Sequence, residues 1–389
     1  GGNDAGAPRY IWTHMSKITP ILFNPNDLPL LKYNVEEGQA IEPEWYIPIL
    51  PLILINGGEG IGTGFSTKMT SYNPIDIIKN IRRMLDGKNV RAMKPWFRGF
   101  NGKVQSTETN SNGEPKYYSR GKFTRINANV VEITELPIGT WTDDYKQFLD
   151  KCVYDKSADA KEQKKQYIVS YTTDCTESSV KFTLRFKYDV LEECLKSKEN
   201  TDTANKEKFE TRFGLRDTRN TNTTNMHLYN STGTITKYNT VADILTEFYD
   251  IRLGFYVKRK DYMLKRYKEE LDICQSKVRF IEEFIVGTMK LVNEEDDVIE
   301  KYLSEKDYPK FAIGESKSEA SYDYLINMQL RSLTKKKIEE LRKLHEKRLA
   351  EYNGLKDMDV KDMWNNDLID FEKVYKSEMI EYEKRYGVE

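Results

Sequence analysis

Tyr10, one of 25 tyrosines in the chain, stands in Ala7-Pro8-Arg9-Tyr10-Ile11, directly after Arg9. A phenol with an ordinary pKa near ~10 is a usable nucleophile once deprotonated and a usable leaving group afterwards. An aryl phosphodiester on such an oxygen keeps a cut nucleic-acid backbone reactive, so the strand reseals without an external energy source. Arg9 would steady the charge of the phosphoryl transition state. The same pair also suits a packing tyrosine beside a surface arginine, and residue type alone does not choose between them.

A second candidate is Glu59-Gly60-Ile61-Gly62-Thr63-Gly64. It lacks the Gly-Lys-Ser/Thr ending of a phosphate-binding loop and fails the dinucleotide fingerprint. One reading is a tight glycine turn joining a buried strand to the next element. The other is that Gly60 and Gly62 let backbone approach DNA closely while Ile61 projects as an apolar wedge. Such a wedge unstacks base steps and kinks the duplex. A third candidate is basic: Lys79, Arg82, Arg83, Lys88, Arg91, Lys94, Arg98 and Lys103 face only Asp86, with Trp96, Phe97 and Phe100 interleaved. That stretch suits phosphate contacts, although basic runs also occur on solvated faces.

The bulk composition hides this patch. With 61 Lys and Arg against 62 Asp and Glu, the formal net charge is -1, so any nucleic-acid footprint has to be local. Cys152, Cys175, Cys194 and Cys274 form no CxxC pair, which argues against a disulfide framework or a zinc site and for a reducing compartment. His14, His227 and His345 lie too far apart in sequence for a metal motif. The longest apolar run, Ile47 to Ile55, is broken by Pro48 and Pro51 and is too short for a membrane span. The chain opens on Gly1 without a methionine or signal peptide, which suggests a fragment of something longer.

These candidates need elements to position them. Glu42 to Ile55 reads as buried extended chain leading into the glycine run. A helix is predicted from Pro74 to Leu85, with Asn73 as cap, proline in the first turn and Ile75, Ile77, Ile78, Ile81 and Met84 as its apolar face. Strands are predicted at Val130 to Pro137 and Val180 to Phe186, with a helix between about Asp143 and Cys152. Residues 195 to 225, polar and rich in Asn and Thr, read in part as a flexible surface insertion. From Thr240 a helix of about fifty residues carries Leu264, Tyr267, Leu271, Cys274, Val278, Ile281 and Ile285 at spacings of three and four. A second helix, Thr334 to Leu355, presents Ile338, Leu341, Leu344, Tyr352 and Leu355. A third follows Trp364, Leu368, Phe371, Val374 and Tyr382. The aromatic segment Tyr302 to Leu333, with a turn at Asp307-Tyr308-Pro309, would cap two antiparallel arms.

Gly1-Gly2-Asn3-Asp4-Ala5-Gly6-Ala7-Pro8-Arg9-Tyr10-Ile11 resembles the active-site tyrosine motif of eukaryotic topoisomerase II. Glu42-Pro43-Glu44-Trp45-Tyr46-Ile47-Pro48, followed by Leu54 through Gly64, is similar to a second hallmark of that family. Further likenesses are Pro95-Trp96-Phe97-Arg98-Gly99, Ile133-Thr134-Glu135-Leu136-Pro137 with Thr140-Trp141-Thr142, Lys237-Tyr238-Asn239-Thr240, and Tyr322-Asp323-Tyr324-Leu325. The resemblance covers nearly the whole chain; Gly6 and residues 195 to 225 depart from the pattern. The bacterial gyrase counterparts share the Arg-Tyr pair, but their glycine run and tower read differently, so the eukaryotic or related viral branch fits better.

The resemblance implies an α+β multidomain fold: the end of a winged-helix domain over residues 1–44 and a DNA-bending tower over 45–237. Coiled-coil arms over 238–292 and 332–389 and an exit-gate dimerisation tip over 293–331 would complete it. It implies Tyr10 as nucleophile, Arg9 as its transition-state partner, Ile61 as wedge, and Gly60, Gly62, Lys79, Arg82, Arg83 and Arg98 at the DNA. The activity implied is that of an ATP-dependent type IIA DNA topoisomerase, a nuclear homodimer acting on duplex DNA, with no membrane partner. Magnesium and ATP would be held by domains outside this chain, since no DxDxD pattern occurs here; alone, the chain is expected to be catalytically incompetent. Two rival readings are a non-enzymatic coiled-coil scaffold and another tyrosine strand transferase such as a recombinase. The first leaves the basic aromatic segment unexplained, and the second needs Arg and His residues upstream of its tyrosine.

Overall fold

The structure, a computed structural model, describes residues 7–109, 115–157, 159, 163, 166–176, 178–187, 189–196, 201–218, 221, 223–288, 295–312, 320–329 and 334–386. The backbone divides into two units: one of Gly1–Asn24, Tyr46–Arg252 and Asn365–Glu389, the other of Pro25–Trp45 and Leu253–Trp364.

The core of the first unit is a four-stranded antiparallel sheet ordered Lys122–Arg125, Val130–Glu135, Phe182–Phe186, Ile168–Thr173. Its register sets Phe182 opposite Ile133 and Leu184 opposite Val131. Side chains alternate faces along a strand, so these residues share one face, and all of them are fully buried. Helix Thr142–Cys152 covers that face with Tyr145 and Leu149. The Tyr145 hydroxyl donates to the carbonyl of Phe213 at 2.8 Å.

Phe213 belongs to a region that departs from the sequence expectation. Residues 195–225 were expected to hold a flexible insertion, yet Asp202–Arg212 is a helix whose Thr201 hydroxyl caps Ala204 N–H. Phe209, Phe213 and Leu215 from this segment lie in the sheet's core. Two phenylalanines one helical turn apart anchor an otherwise polar segment, because a helix needs only one apolar stripe to dock. Residues 197–200, 219, 220 and 222 lie outside the described set.

A second departure is the stretch before the glycine run. Ile47, Ile49, Leu50 and Leu54 are buried as expected, but Leu52–Asn56 is a short helix and not extended chain. Pro51 precedes it in extended conformation and Gly57 ends it at φ 66°. A Cβ on Gly57 would sit 2.7 Å from the Met69 carbonyl oxygen, so both the turn and the space demand glycine there.

In the second unit, the part of helix Val241–Val286 from Leu253 onward runs against helix Lys335–Asp357. Lys260 donates to the Lys356 carbonyl at 2.9 Å, Arg348 pairs with Glu270 at 2.9 Å, and Arg342 pairs with Glu282 at 2.6 Å. Numbers rise along one helix as they fall along the other, so the two are antiparallel. Leu271, Cys274, Ile281, Leu341 and Leu355 are buried. Leu344, expected on the same apolar side, is exposed. A separate aromatic cluster gathers Phe280, Leu303, Tyr308, Tyr322, Tyr324 and Leu325. It fulfils the expectation of a compact aromatic segment, and Asp307, at φ 55°, makes the turn predicted before Pro309. Residues 313–319 and 330–333 of that segment are outside the described set.

Candidate functional site

Tyr10 ends a single 3-10 turn, Pro8–Tyr10, closed by its own N–H donating to the Ala7 carbonyl at 2.9 Å. Proline in the first turn presets the backbone for this bend. The side chain is 80% exposed. The Arg9 guanidinium carbon lies 5.9 Å from the Tyr10 ring centroid, and among the described residues no carboxylate pairs with it. Trp12 and Met15 are exposed alongside. A phenol and an unpaired guanidinium are thus both open to a ligand.

The glycine run forms one strand of a hairpin and enters its bend. Gly58–Ile61 pairs antiparallel with Ser66–Met69, with Gly60 opposite Thr67 and Ile61 opposite Ser66. Gly62 N–H donates to the Phe65 carbonyl at 2.8 Å, closing a hairpin whose bend uses Gly64 at φ 81°. Ile61 is the last strand residue before that bend and is 92% exposed. An isoleucine so placed gains nothing from the protein's own core. Gly60 and Gly62 are also not required by the fold: a Cβ on Gly60 would meet nothing nearer than 4.0 Å, and one on Gly62 nothing nearer than 3.7 Å.

The basic residues split into two groups. Arg82 bonds Glu372 through both terminal nitrogens, at 2.9 and 3.2 Å, and its Nε donates to the Asn365 side chain at 2.9 Å. Its charge is paired within the protein. Lys79 pairs with its helix neighbour Asp76, and Arg83 donates to the Asn89 carbonyl. The Arg98 guanidinium lies 4.4 Å above the Tyr382 ring, where Gly99 at φ 79° leaves room for the Tyr382 hydroxyl. Asn80 fixes the loop between them, donating to the Arg91 carbonyl and accepting from Arg91 N–H. At the far end the Glu135 carboxylate accepts from Asn101 N–H at 3.0 Å and Leu136 N–H at 3.1 Å. Burial nonetheless raises its pKa, because these two bonds offset only part of the lost hydration. Arg91, Lys94 and Lys103 are exposed.

Among the described residues, no hydrogen bond, ion pair or ring contact joins Arg9 or Tyr10 to the hairpin or to the basic helix. Nor does any cluster of three or more His, Cys, Asp or Glu side chains there suit a metal ion. The residues sequence reading missed are Asn225 and His227, which hold the hairpin through Ser66. A polar-apolar alternation around Met226 marks a strand, but nothing in it points to a partner 161 residues away.

The model of the DNA gyrase/topoisomerase IV family, in its A-type polypeptide, matches residues 1–369. The chain belongs to that family. Within it, the chain is similar to DNA topoisomerase 2 of Acanthamoeba polyphaga mimivirus, 34% identical over 396 residues, a match covering 88% of this chain and 30% of the viral protein. DNA topoisomerase 2 of Saccharomyces cerevisiae is 38% identical over 314 residues, covering 80% of this chain and 20% of the yeast protein. A crystal structure of the DNA-binding, cleavage and re-ligation domain of Plasmodium falciparum topoisomerase II superposes with a TM-score of 0.79 at 33% identity. That match covers 99% of this chain and 51% of the Plasmodium chain. The chain therefore spans under a third of the length of these curated relatives, and the resemblance to eukaryotic topoisomerase II read from its motifs holds.

Proposed function

We propose that this chain is the part of a type IIA DNA topoisomerase that supplies the nucleophile, the DNA-bending wedge and the exit gate. The observation that carries the reading is the exposed Arg9–Tyr10 step, unpaired with any carboxylate among the described residues. On this account the Tyr10 oxygen, having lost its proton, attacks a backbone phosphorus. The bond from phosphorus to the 3′ oxygen breaks, a 5′-phosphotyrosyl link forms, and the 3′ oxygen leaves and takes up a proton. The reverse step reseals the strand with no net change in bond type. Arg9 holds a non-bridging oxygen as charge develops. Two copies in a homodimer cut both strands, and a second duplex passes.

Ile61 enters the duplex between base steps. Gly60 and Gly62 carry no side chain because the partner needs that space, which fits the open surroundings of both. Lys79, Arg83, Arg98, Arg91, Lys94 and Lys103 contact phosphates. In the domain scheme, residues 1–44 end a winged helix, 45–237 form the tower, 238–292 and 332–389 the coiled-coil arms, and 293–331 the gate. Magnesium and ATP would be held by other parts of the whole enzyme, which would act in the nucleus.

The test is a polypeptide that carries this chain with the family's remaining domains, assayed on supercoiled DNA. Wild type relaxes it with ATP and magnesium, whereas Tyr10→Phe binds it and leaves it supercoiled. Relaxation by Tyr10→Phe would refute the assignment. In the chain itself, Ile61→Ala should lower the bend of a bound duplex while leaving affinity largely intact.

A further inference from the structure

The hairpin that displays Ile61 is short, and isolated two-stranded hairpins are marginal in water. A wedge driven between base steps has to withstand the cost of unstacking them. The hairpin therefore needs bracing, and the structure places the brace on Ser66, the residue across from Ile61. Lys68 N–H donates to the Asn225 carbonyl at 2.8 Å. The Asn225 amide donates to the Ser66 hydroxyl at 2.9 Å. His227 Nδ1 lies 3.0 Å from the Ser66 carbonyl oxygen and 2.9 Å from the Asn225 side-chain oxygen.

Both of these oxygens are acceptors and neither carries a hydrogen. Nδ1 must then be the protonated nitrogen, shared between the two. The bond fixes the ring's tautomer and ties the carbonyl opposite Ile61 to the neighbouring hairpin Met226–Tyr229/Ile235–Tyr238. The Phe65 ring lies 5.9 Å from the imidazole at a tilt of 59°, a loose ring contact beside a well-formed hydrogen bond.

We propose that His227 is a positioning residue for DNA bending: its Nδ1–H anchors the Ser66 carbonyl so that Ile61 is held rigid as it enters the duplex. The inference rests on the reading of Ile61 as the wedge. The ring's size and charge are incidental; the donor at the δ position is what acts.

Side-chain amides separate these possibilities. His227→Asn puts an N–H where Nδ1–H stands. His227→Gln moves the donor outward to the Nε2 position, and His227→Phe keeps a ring and removes both donors. The measurement is the bent fraction of a duplex labelled with a fluorescent pair at its ends, bound to the 389-residue chain, with thermal unfolding recorded for each variant. His227→Asn should bend like wild type. His227→Gln and His227→Phe should shift the bent-to-straight ratio by about tenfold, the worth of one lost hydrogen bond. Equal bending by all three, or equal loss in all three, overturns the proposal. If His227→Phe does not fold, Phe65→Leu serves in its place: it removes the ring contact, keeps the donor and should still bend, and loss of bending there overturns the proposal too. An Ile61→Ala chain that bends like wild type refutes the wedge itself. An Ile61→Ala chain that loses bending beside a His227→Phe chain that keeps it refutes only the brace.

Discussion

The guanidinium of Arg82 grips the carboxylate of Glu372, 290 residues further along, through two bonds of 2.9 and 3.2 Å. The pair is partly shielded, with side-chain exposures of 32% and 19%. A paired, half-buried arginine belongs to the fold and is a poor phosphate ligand. Arg82→Ala should therefore lower stability by about 1–3 kcal/mol and leave the salt dependence of duplex binding unchanged. Lys94→Ala, at an exposed position, should do the reverse, reducing the slope of log K against log salt by about 0.9. Paired titrations at several salt concentrations, with thermal melts, distinguish the two.

Two glycines three residues apart should respond in opposite ways. Gly57 sits at φ 66° with a prospective Cβ 2.7 Å from backbone oxygen. Gly57→Ala should thus destabilise the chain by about 1–3 kcal/mol. Gly60 has open space around it, so Gly60→Ala should stay within about 0.5 kcal/mol of wild type. Its effect should appear in duplex affinity, since the methyl occupies space that DNA needs. Unaltered binding by a folded Gly60→Ala chain would count against close backbone approach.

Asp27 and Arg259 form a buried ion pair in the second unit, with side-chain exposures of 4% and 3%. Arg259 Nε donates to the carboxylate at 2.7 Å, and its guanidinium carbon lies 4.4 Å from the Tyr256 ring centroid. Removing Asp27 deprives the buried Arg259 charge of this carboxylate. Asp27→Ala should cost about 3–5 kcal/mol in denaturant unfolding. Asp27→Ala combined with Arg259→Met should recover much of that loss, and a double variant as unstable as the single one would contradict this account.

Tyr238 donates its hydroxyl to Glu247, which also accepts from Ser231 N–H at 2.9 Å. The tyrosine bond is the largest cause holding the Glu247 pKa below its ordinary value of 4.5. A lowered carboxylate pKa contributes stability above the unfolded value, and that stability is lost as pH falls through the folded one. Docking of the hairpin Met226–Tyr229/Ile235–Tyr238 should therefore weaken below the usual carboxylate range. A carbon-13 titration of Glu247 should show a depressed midpoint that moves upward in Tyr238→Phe; an unmoved midpoint would remove Tyr238 as the cause.

The elements with strong local signals were legible from sequence. The Asn73 cap and the isoleucine stripe define helix Pro74–Leu85, and the apolar alternation of Val131 and Ile133 defines a central strand. Helix Asp202–Arg212 was not legible, because its polar composition outweighs Phe209 and Phe213 until the sheet that buries them is known. The short helix Leu52–Asn56 was missed for the opposite reason: a continuous apolar run has no period to tell helix from strand. At the site, Tyr10 and Ile61 were read from motifs, while the brace from His227 and the capture of Arg82 by Glu372 depend on contacts far apart in the chain. Residue type says that Arg82 is charged; only the fold says where that charge goes.

The central claim is that the Tyr10 oxygen forms the bond to DNA. Its most direct measurement is peptide mass spectrometry on the complete enzyme, trapped on a duplex with denaturant and digested by nuclease and protease. The peptide containing Tyr10 should carry a 5′-linked deoxynucleotide phosphate, and the adduct should be absent from Tyr10→Phe. An adduct on any other tyrosine, or one that persists in Tyr10→Phe, would contradict the account.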